Sequence, residues 1–506
     1  MTAAAPSGPP FRVHDIPFST YGSWFAISPV VAPHTVADDL HLVSHQSGMH
    51  AVLRLVPVDP DGERTAAEVA ANPSRLSWSG PEGGIELCYE SPDTVRVRGT
   101  GLGLRVSAAV DELSPFSGTY FFRDPVDGSH TFTSYETGRR YRVSVLAGRA
   151  AAPAGAQAVG GGDRGLTLTA DADGVWEAAI EELDSAREPY EKRDSFDAAV
   201  EAAAQAFSDF ADQIAPWRST DSPAAALAVY VLWSATVAPA GFLDRPAVLM
   251  SKHWMDKVWS WDHCFNALAL AAGAPELAWD QFCLPFDFQD ESGALPDSVT
   301  HSEVLYNFVK PPIHGWAFRL LRERLPEPLP TAELERIYDR LARWTSFWLH
   351  ARRAPGSALP HYQHGNDSGW DNATLFDPER VVVAADLAAF LSQQLSALTE
   401  VATELGRDAD ALKWSRAYES VREALLGRLW TGDRFQARSA ESDDSWSGSS
   451  LLYLMPIALG ELLPGDVAEA LARDISGHLT QHGLATERPD SPHYESDGYW
   501  RGPIWA

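Results

Sequence analysis

Asp194-Ser-Phe-Asp-Ala-Ala-Val-Glu-Ala-Ala-Ala-Gln-Ala-Phe-Ser-Asp-Phe-Ala-Asp-Gln-Ile214 is where this chain changes period. From Phe196 to Ile214 the apolar residues form a stripe at helical spacing in an Ala-rich background, and Ala has the lowest cost of any residue in a helix. Asp194 and Ser195 precede it as cap candidates. Upstream the pattern is different. Thr94-Val-Arg-Val-Arg98, Leu102-Gly-Leu-Arg-Val106, Tyr141-Arg-Val-Ser-Val145 and Leu166-Thr-Leu-Thr169 alternate with period two, with Gly, Pro and Asp between the runs. That alternation predicts an antiparallel β-sandwich over residues 1–185. The Ala- and Gly-rich stretch from Ala147 to Gly165 reads as a loop inside it, and its Gly160-Gly-Gly162 run lacks the Lys of a phosphate loop.

Downstream, helical patterns recur near 223–238, 262–273, 275–287, 312–325, 331–352, 379–404, 408–427, 448–460 and 465–479. With the first, that makes about ten, mostly as antiparallel pairs. Paired helices closing into a ring predict an (α/α)6 toroid over residues 186–506, which needs two helices more. The last residues, Tyr499-Trp-Arg-Gly-Pro-Ile-Trp-Ala506, read as the start of the next one. The expectation is a multidomain β + α chain that stops before its barrel closes.

Composition bounds the function. The 506 residues are 45% hydrophobic and 22% charged, ordinary for a globular protein. Lys plus Arg is 40 against 69 Asp plus Glu, a net charge of −29. So acidic a surface argues against nucleic acid and anionic membranes. Pro223 to Leu243 is uncharged and long enough to span a bilayer, but Ser234, Thr236 and Pro239 in a mid-chain setting favour a buried helix. Cys88, Cys264 and Cys283 are odd in number and match no zinc or redox spacing, as in a reducing compartment. No signal peptide is read at the N-terminus. The expected location is cytoplasmic; oligomeric state is not readable.

Four segments carry chemistry. Gly365-Asn-Asp-Ser-Gly-Trp-Asp-Asn372 sets Asp367 and Asp371 four residues apart in a turn, with Trp370 against the second. Burial against an aromatic wall can raise a carboxyl pKa and make it a general acid, and a Trp face suits the C–H face of a sugar. Read alone, the same segment also fits a capped loop between helices. Trp254-Met-Asp-Lys-Val-Trp-Ser-Trp-Asp-His-Cys-Phe-Asn266 could floor a polar pocket, with Asp262 accepting from hydroxyls; it also fits a helix cap with core aromatics. Phe288 to Asp297 is a polar loop that lines a cleft or is simply solvated. Lys310-Pro-Pro-Ile-His-Gly-Trp316 places a Lys ahead of a Pro-led helix. His253, His263 and the His361/His364 pair lack a third ligand, so neither a metal nor a cofactor is expected. No Gly-x-Ser-x-Gly elbow or Cys–His pairing is present.

Together these segments resemble glycoside hydrolase family 63, which includes processing α-glucosidases and bacterial mannosylglycerate and glucosylglycerate hydrolases. The resemblance rests on Trp259-Ser-Trp-Asp262, Gln289 to Asp297, Lys310 to Trp316, Asp367-Ser-Gly-Trp-Asp-Asn372 and Tyr499 to Trp505, in that order. It implies an (α/α)6 barrel that hydrolyses a terminal α-glucosidic or α-mannosidic bond with inversion. It implies Asp371 as general acid, Trp259 and Asp262 holding the released sugar, and Trp500 and Arg501 lining the same subsite. Trp261, Lys310, Asp367 and Trp370 complete the expected substrate-binding set. The sequence departs from the family at Asn366, where relatives often carry an aromatic, at Asp367, where Glu is usual, and at Lys310, which is Gln in some relatives. The family's general base is a Glu beyond the Trp-Arg-Gly segment; no residue here matches it, so the chain as given is expected to be inactive. Two other readings stay open: a trehalase- or glucoamylase-like toroid, and a sugar-binding protein without catalysis. A sugar isomerase on the same toroid would lean on paired His residues that do not fit here.

Overall fold

The computed structural model describes residues 8–152, 160–161 and 164–503. Parts of three sequence readings therefore fall outside the described residues: the loop at 153–159 and 162–163, the N-terminal seven residues, and Ile504 to Ala506 of the last motif. The chain divides into two compact units, Met1–Val258 with Thr300–Glu303, and Trp259–Val299 with Val304–Ala506.

The first unit is built on two antiparallel sheets. One has six strands, in the order Phe25–Ala32, Thr35–Ser44, His50–Val58, Gly103–Ala108, Gly165–Thr169 and Arg149–Ala151. The other has eight, in the order Thr119–Arg123, His130–Ser134, Arg140–Ala147, Val175–Leu183, Thr94–Thr100, Gly83–Ser91, Arg75–Gly80 and Glu68–Asn72. The apolar residues of the alternating runs meet in one core: Phe25, Ile27, Leu53 and Leu104 from one sheet, Leu87, Val95, Val97, Tyr141, Trp176 and Ile180 from the other. Each such side chain withdrawn from water contributes about 1.5–3 kcal/mol.

The alternate positions of the larger sheet are not left to solvent. Helix α1 (Phe196–Ile214), capped by the Ser195 hydroxyl accepting from the Ala198 N–H, clusters Phe196 and Ala199 with Cys88. Arg96 is thereby fully buried, and ion pairs with Glu90 and Glu177 offset the cost. The uncharged stretch after residue 223 forms α2 (Ala225–Ala235), whose Tyr230 and Trp233 pack on Phe207 of α1. Among the described residues no helix is long and apolar enough to cross a membrane. All three cysteines are buried, and none forms a disulfide among the described residues.

The second unit is mostly helical: α3 (Asp262–Leu270), α4 (Pro275–Asp287), α5 (His314–Arg324), α6 (Thr331–His350), α7 (Ala385–Glu404), α8 (Asp408–Ala424) and α9 (Gly465–Ile475). Helix α7 packs against α5, α6 and α8 and is buried along most of its length. Three readings need correction. The helix expected from 379 starts at Ala385, because Val382 and Val383 pair as a short strand with Ser439 and Arg438. The helix expected at 448–460 is a tighter three-residue-per-turn coil over Leu451–Leu462, where Pro456 removes a donor and Gly460 leaves helical geometry at φ 56°. The stretch from Tyr499, expected to begin a helix, is a turn through Pro503, with Trp500 at φ 52°.

Candidate active site

The second unit gathers the sequence-flagged residues through four segments: the turn before α3, the approach to α5, the loop between α6 and α7, and the turn at 499–503. Trp261 precedes α3 and its carbonyl accepts the Cys264 N–H, which places Asp262 in the first turn. Pro311 and Pro312 lead into α5 and set Lys310 just ahead of it. The Gly365–Ser368 turn is held by the His364 ring nitrogen accepting from the Asn366 N–H.

This turn has a strict backbone requirement. Gly369 stands at φ 76°, and a Cβ there would lie 2.4 Å from the indole of Trp261. A Cβ on Gly365 would lie 2.2 Å from the Asp371 carbonyl oxygen. Only Gly satisfies either position. The two glycines let the turn fold tightly beneath Asp371 and against the aromatic residues.

The two carboxylates of the turn have different surroundings. Asp367 is buried, and protein donors engage both its oxygens: the Val309 N–H at 3.1 Å on Oδ1, Arg352 at 2.7 Å and the Gln363 N–H at 2.8 Å on Oδ2. The side chain of Asp371 is 27% exposed. Its Oδ2 accepts the Tyr499 hydroxyl at 2.5 Å, and its Oδ1 has no hydrogen-bond partner.

Lys310 is the centre of charge. Its ammonium donates to the Asn366 carbonyl at 2.7 Å, pairs with Asp297 at 3.2 Å, lies 3.9 Å from Asp371 Oδ1, and sits 5.6 Å over the Trp259 ring. Burial raises the pKa of Asp297, with Lys310 opposing. Burial also pushes Asp262 up to about 6, against Lys310 and with the help of the Asp371 and Asp297 charges. Asp262 and Asp297 thus hold a proton more readily than an exposed Asp, burial outweighing the nearby ammonium.

Aromatic rings wall this cluster. Trp370 stacks on Trp500 at 4.9 Å and 18°, and Trp261 lies 6.5 Å from Trp500. The Trp259 Nε1 is buried without a hydrogen-bond partner. Arg501 is fixed from two sides, donating to the Asn372 carbonyl at 2.8 Å and to Asp377 at 2.6 Å. Next to the wall, an open cavity of about 510 Å³ is lined by Asp371, His364, Asp377, Arg380 and Arg501. The structure therefore brings together Trp259, Trp261, Asp262, Lys310, Asp367, Trp370, Asp371, Trp500 and Arg501 within one unit. Trp254 lies in the first unit, packed on His34 and His253.

Three members were not singled out from sequence. Asp297 closes a loop read only as a whole, as lining a cleft or solvated, Tyr499 was read only as the head of a motif, and Arg352 lies just past the end of α6. A proline just before Asp297 was the one local signal. Among the described residues no three His, Cys, Asp or Glu side chains could together hold a metal ion.

Acceptors around a buried cation, set against stacked indoles, form a site for a neutral polyhydroxylated ligand. The class this points to is a glycoside hydrolase domain, and residues 255–506 match the family model of the mannosylglycerate hydrolase MGH1-like glycoside hydrolase domain. The chain is similar to the mannosylglycerate hydrolase of Rubrobacter radiotolerans, 28% identical over 161 residues, covering 27% of this chain and 36% of that protein. It is also similar to mannosylglycerate hydrolase MGH1 of Selaginella moellendorffii, 23% identical over 325 residues, covering 49% of this chain and 66% of that protein. The chain thus spans less than two thirds of either relative. Among solved structures, GH63 mannosylglycerate hydrolase from Thermus thermophilus in complex with glucose aligns with TM-score 0.44 at 20% identity, over 49% of this chain and 77% of that one. A GH92 family glycosyl hydrolase, ccman5, aligns with TM-score 0.51 at 14% identity, over 97% of this chain and 74% of that one. The family model thus supports a glycoside hydrolase domain in residues 255–506.

Proposed function

We propose that this protein is an inverting α-glycosidase acting on a terminal α-mannosidic or α-glucosidic bond, with mannosylglycerate the first substrate to test. Asp371, protonated, donates to the glycosidic oxygen. A carboxylate not assigned among the described residues activates water on the opposite face, roughly 6.5–9.5 Å from the acid, as inversion requires. Trp259, Trp261, Asp262, Trp370, Trp500 and Arg501 hold the sugar. Lys310 gathers the carboxyl groups, and Asp367 acts by fixing the turn that carries Asp371. The assigned site residues lie within residues 186–506, on an (α/α)6 scaffold, in a cytoplasmic protein.

The observation that carries this reading is the Asp371 carboxyl, with one oxygen held by Tyr499 and the other without a hydrogen-bond partner, beside a stacked Trp pair. A proton NMR time course on α-mannosides and α-glucosides, glycerate conjugates included, tests it. The β-anomer appears first if the bond is cleaved with inversion. Asp371→Asn then lowers turnover by about 10²–10⁴-fold, the usual worth of a positioned acid, with the fold unchanged. A variant within tenfold of the parent overturns the assignment.

A further inference from the structure

We propose that Tyr499 is a positioning residue for Asp371: its hydroxyl donates to Oδ2 and fixes the orientation of the carboxyl that protonates the glycosidic oxygen. This inference rests on the glycosidase reading and extends it to a residue that no comparison assigns.

The two oxygens of Asp371 are not equivalent. Oδ2 accepts the phenol at 2.5 Å. Oδ1 has no hydrogen-bond partner, and Lys310 stands 3.9 Å away, beyond hydrogen-bonding range. A carboxyl held by one oxygen cannot exchange its two oxygens by rotation without breaking that bond. The same two segments are joined a second time by their neighbours, since Trp370 precedes Asp371, Trp500 follows Tyr499, and the two indoles stack. Trp500 is at φ 52°, one of only two non-glycine residues with positive φ among the described residues. So strained a conformation persists where the surroundings enforce it, and here it keeps the stack and the phenol aimed together. Burial first, and then the bond to Asp371, hold the Tyr499 hydroxyl protonated well above the ordinary range, so it remains a donor at neutral pH.

In the proposed step the carboxyl proton of Asp371 passes to the glycosidic oxygen. The C1–O bond breaks with its electron pair going to that oxygen, and an alcohol leaves. Water adds through its oxygen to C1, and its proton passes to a carboxylate base. Asp371 is left ionised, with the Tyr499 O–H still donated to Oδ2. Tyr499 neither gains nor loses a proton.

The test uses Tyr499→Phe in the full-length protein with two glycosides of the same sugar, one with an alkyl alcohol as leaving group and one with dinitrophenol, which leaves without protonation. Losing a hydrogen bond to a charged group lowers kcat on the alkyl glycoside by about 10- to 100-fold with KM unchanged. The loss on the dinitrophenyl glycoside is several times smaller, and Asp371→Asn shows the same split more strongly. Equal losses on both substrates, or a change in KM alone, overturn the proposal and leave Tyr499 as packing. If the parent protein turns over neither substrate, the glycosidase reading itself falls. The contact is then read by carbon-13 NMR of the aspartate carboxyls: an Asp371 resonance, assigned through Asp371→Asn, that Tyr499→Phe does not move overturns the pinning as well.

Discussion

Trp370 and Trp500 lie face to face, ring centroids 4.9 Å apart and planes 18° from parallel, both almost fully buried. The stack joins the turn carrying Asp371 to the turn carrying Tyr499, two segments far apart in the chain. Trp500→Ala removes a large buried ring and the stacking contribution with it. The expected cost is about 3–5 kcal/mol in urea unfolding, with loss of near-ultraviolet ellipticity from the ordered indoles. A variant within about 1 kcal/mol of the parent would mean the stack is not holding the two turns together.

Gly369 separates two contributions that a substitution usually mixes. Its φ is 76° and a Cβ would strike the Trp261 indole, whereas Gly406, at φ 68°, has nothing within 4 Å. Gly406→Ala is expected to cost about 1–2 kcal/mol, the left-handed strain alone. Gly369→Ala should cost that and at least about 1 kcal/mol more from the clash. It should also abolish turnover, because Asp371 would shift with the turn. Equal stability losses at the two glycines would show that Trp261 gives way freely.

Arg352 and Asp367 form a buried pair at 2.7 Å, with side-chain exposures of 11% and 2%. Arg352→Met leaves Asp367 with its two backbone donors and no cation. Removing one partner of a buried pair typically costs about 3–5 kcal/mol, and chemical denaturation reads it directly. The double change Arg352→Met with Asp367→Asn should recover a good part of that loss, since no buried charge is then uncompensated.

Asp386 gives a pH dependence of known sign. It is fully buried at the start of α7, accepts the Tyr362 hydroxyl at 2.8 Å, and burial pushes its carboxyl up to about 7 from an ordinary 3.8. Between those values the folded state holds the proton and the unfolded state releases it. Stability therefore falls as pH rises from about 4 to about 7, by an amount on the order of 2–4 kcal/mol. Asp386→Asn keeps the acceptor for Tyr362 and removes the titration. Its urea midpoint should lose that slope relative to the parent, which an unchanged pH profile would contradict.

Period and punctuation made much of this architecture legible. The alternation at Thr94–Arg98 and Tyr141–Val145 marked strands because one set of side chains does enter a sheet core. The stripe from Phe196 marked a helix because it buries Phe196, Ala199, Phe207 and Ala211 on one side. The same logic failed where no periodic face decides. At Leu451–Leu462 an apolar run gives the same pattern for any coil, and Pro456 and Gly460 chose the tighter one. At Tyr499–Pro503 three aromatic and basic residues in a row said nothing about φ at Trp500. In the site, Trp and Asp stood out because they are costly to bury without purpose. Asp297, Arg352 and Tyr499 did not, because their roles depend on what lies opposite them.

The sequence by itself determined the two kinds of secondary structure, their order, and the segments in which polar chemistry sits among tryptophans, since each of these follows from local spacing and residue type. Only the tertiary structure decided which carboxylate of the Gly365–Asn372 turn is held by protein donors and which keeps an oxygen without a hydrogen-bond partner. That difference arises from Arg352, Val309 and Gln363 on one side and Tyr499 and Lys310 on the other, contacts between segments distant in the chain. The hydrogen-bonding state of a buried oxygen depends on which groups surround it in space, and no local pattern encodes that.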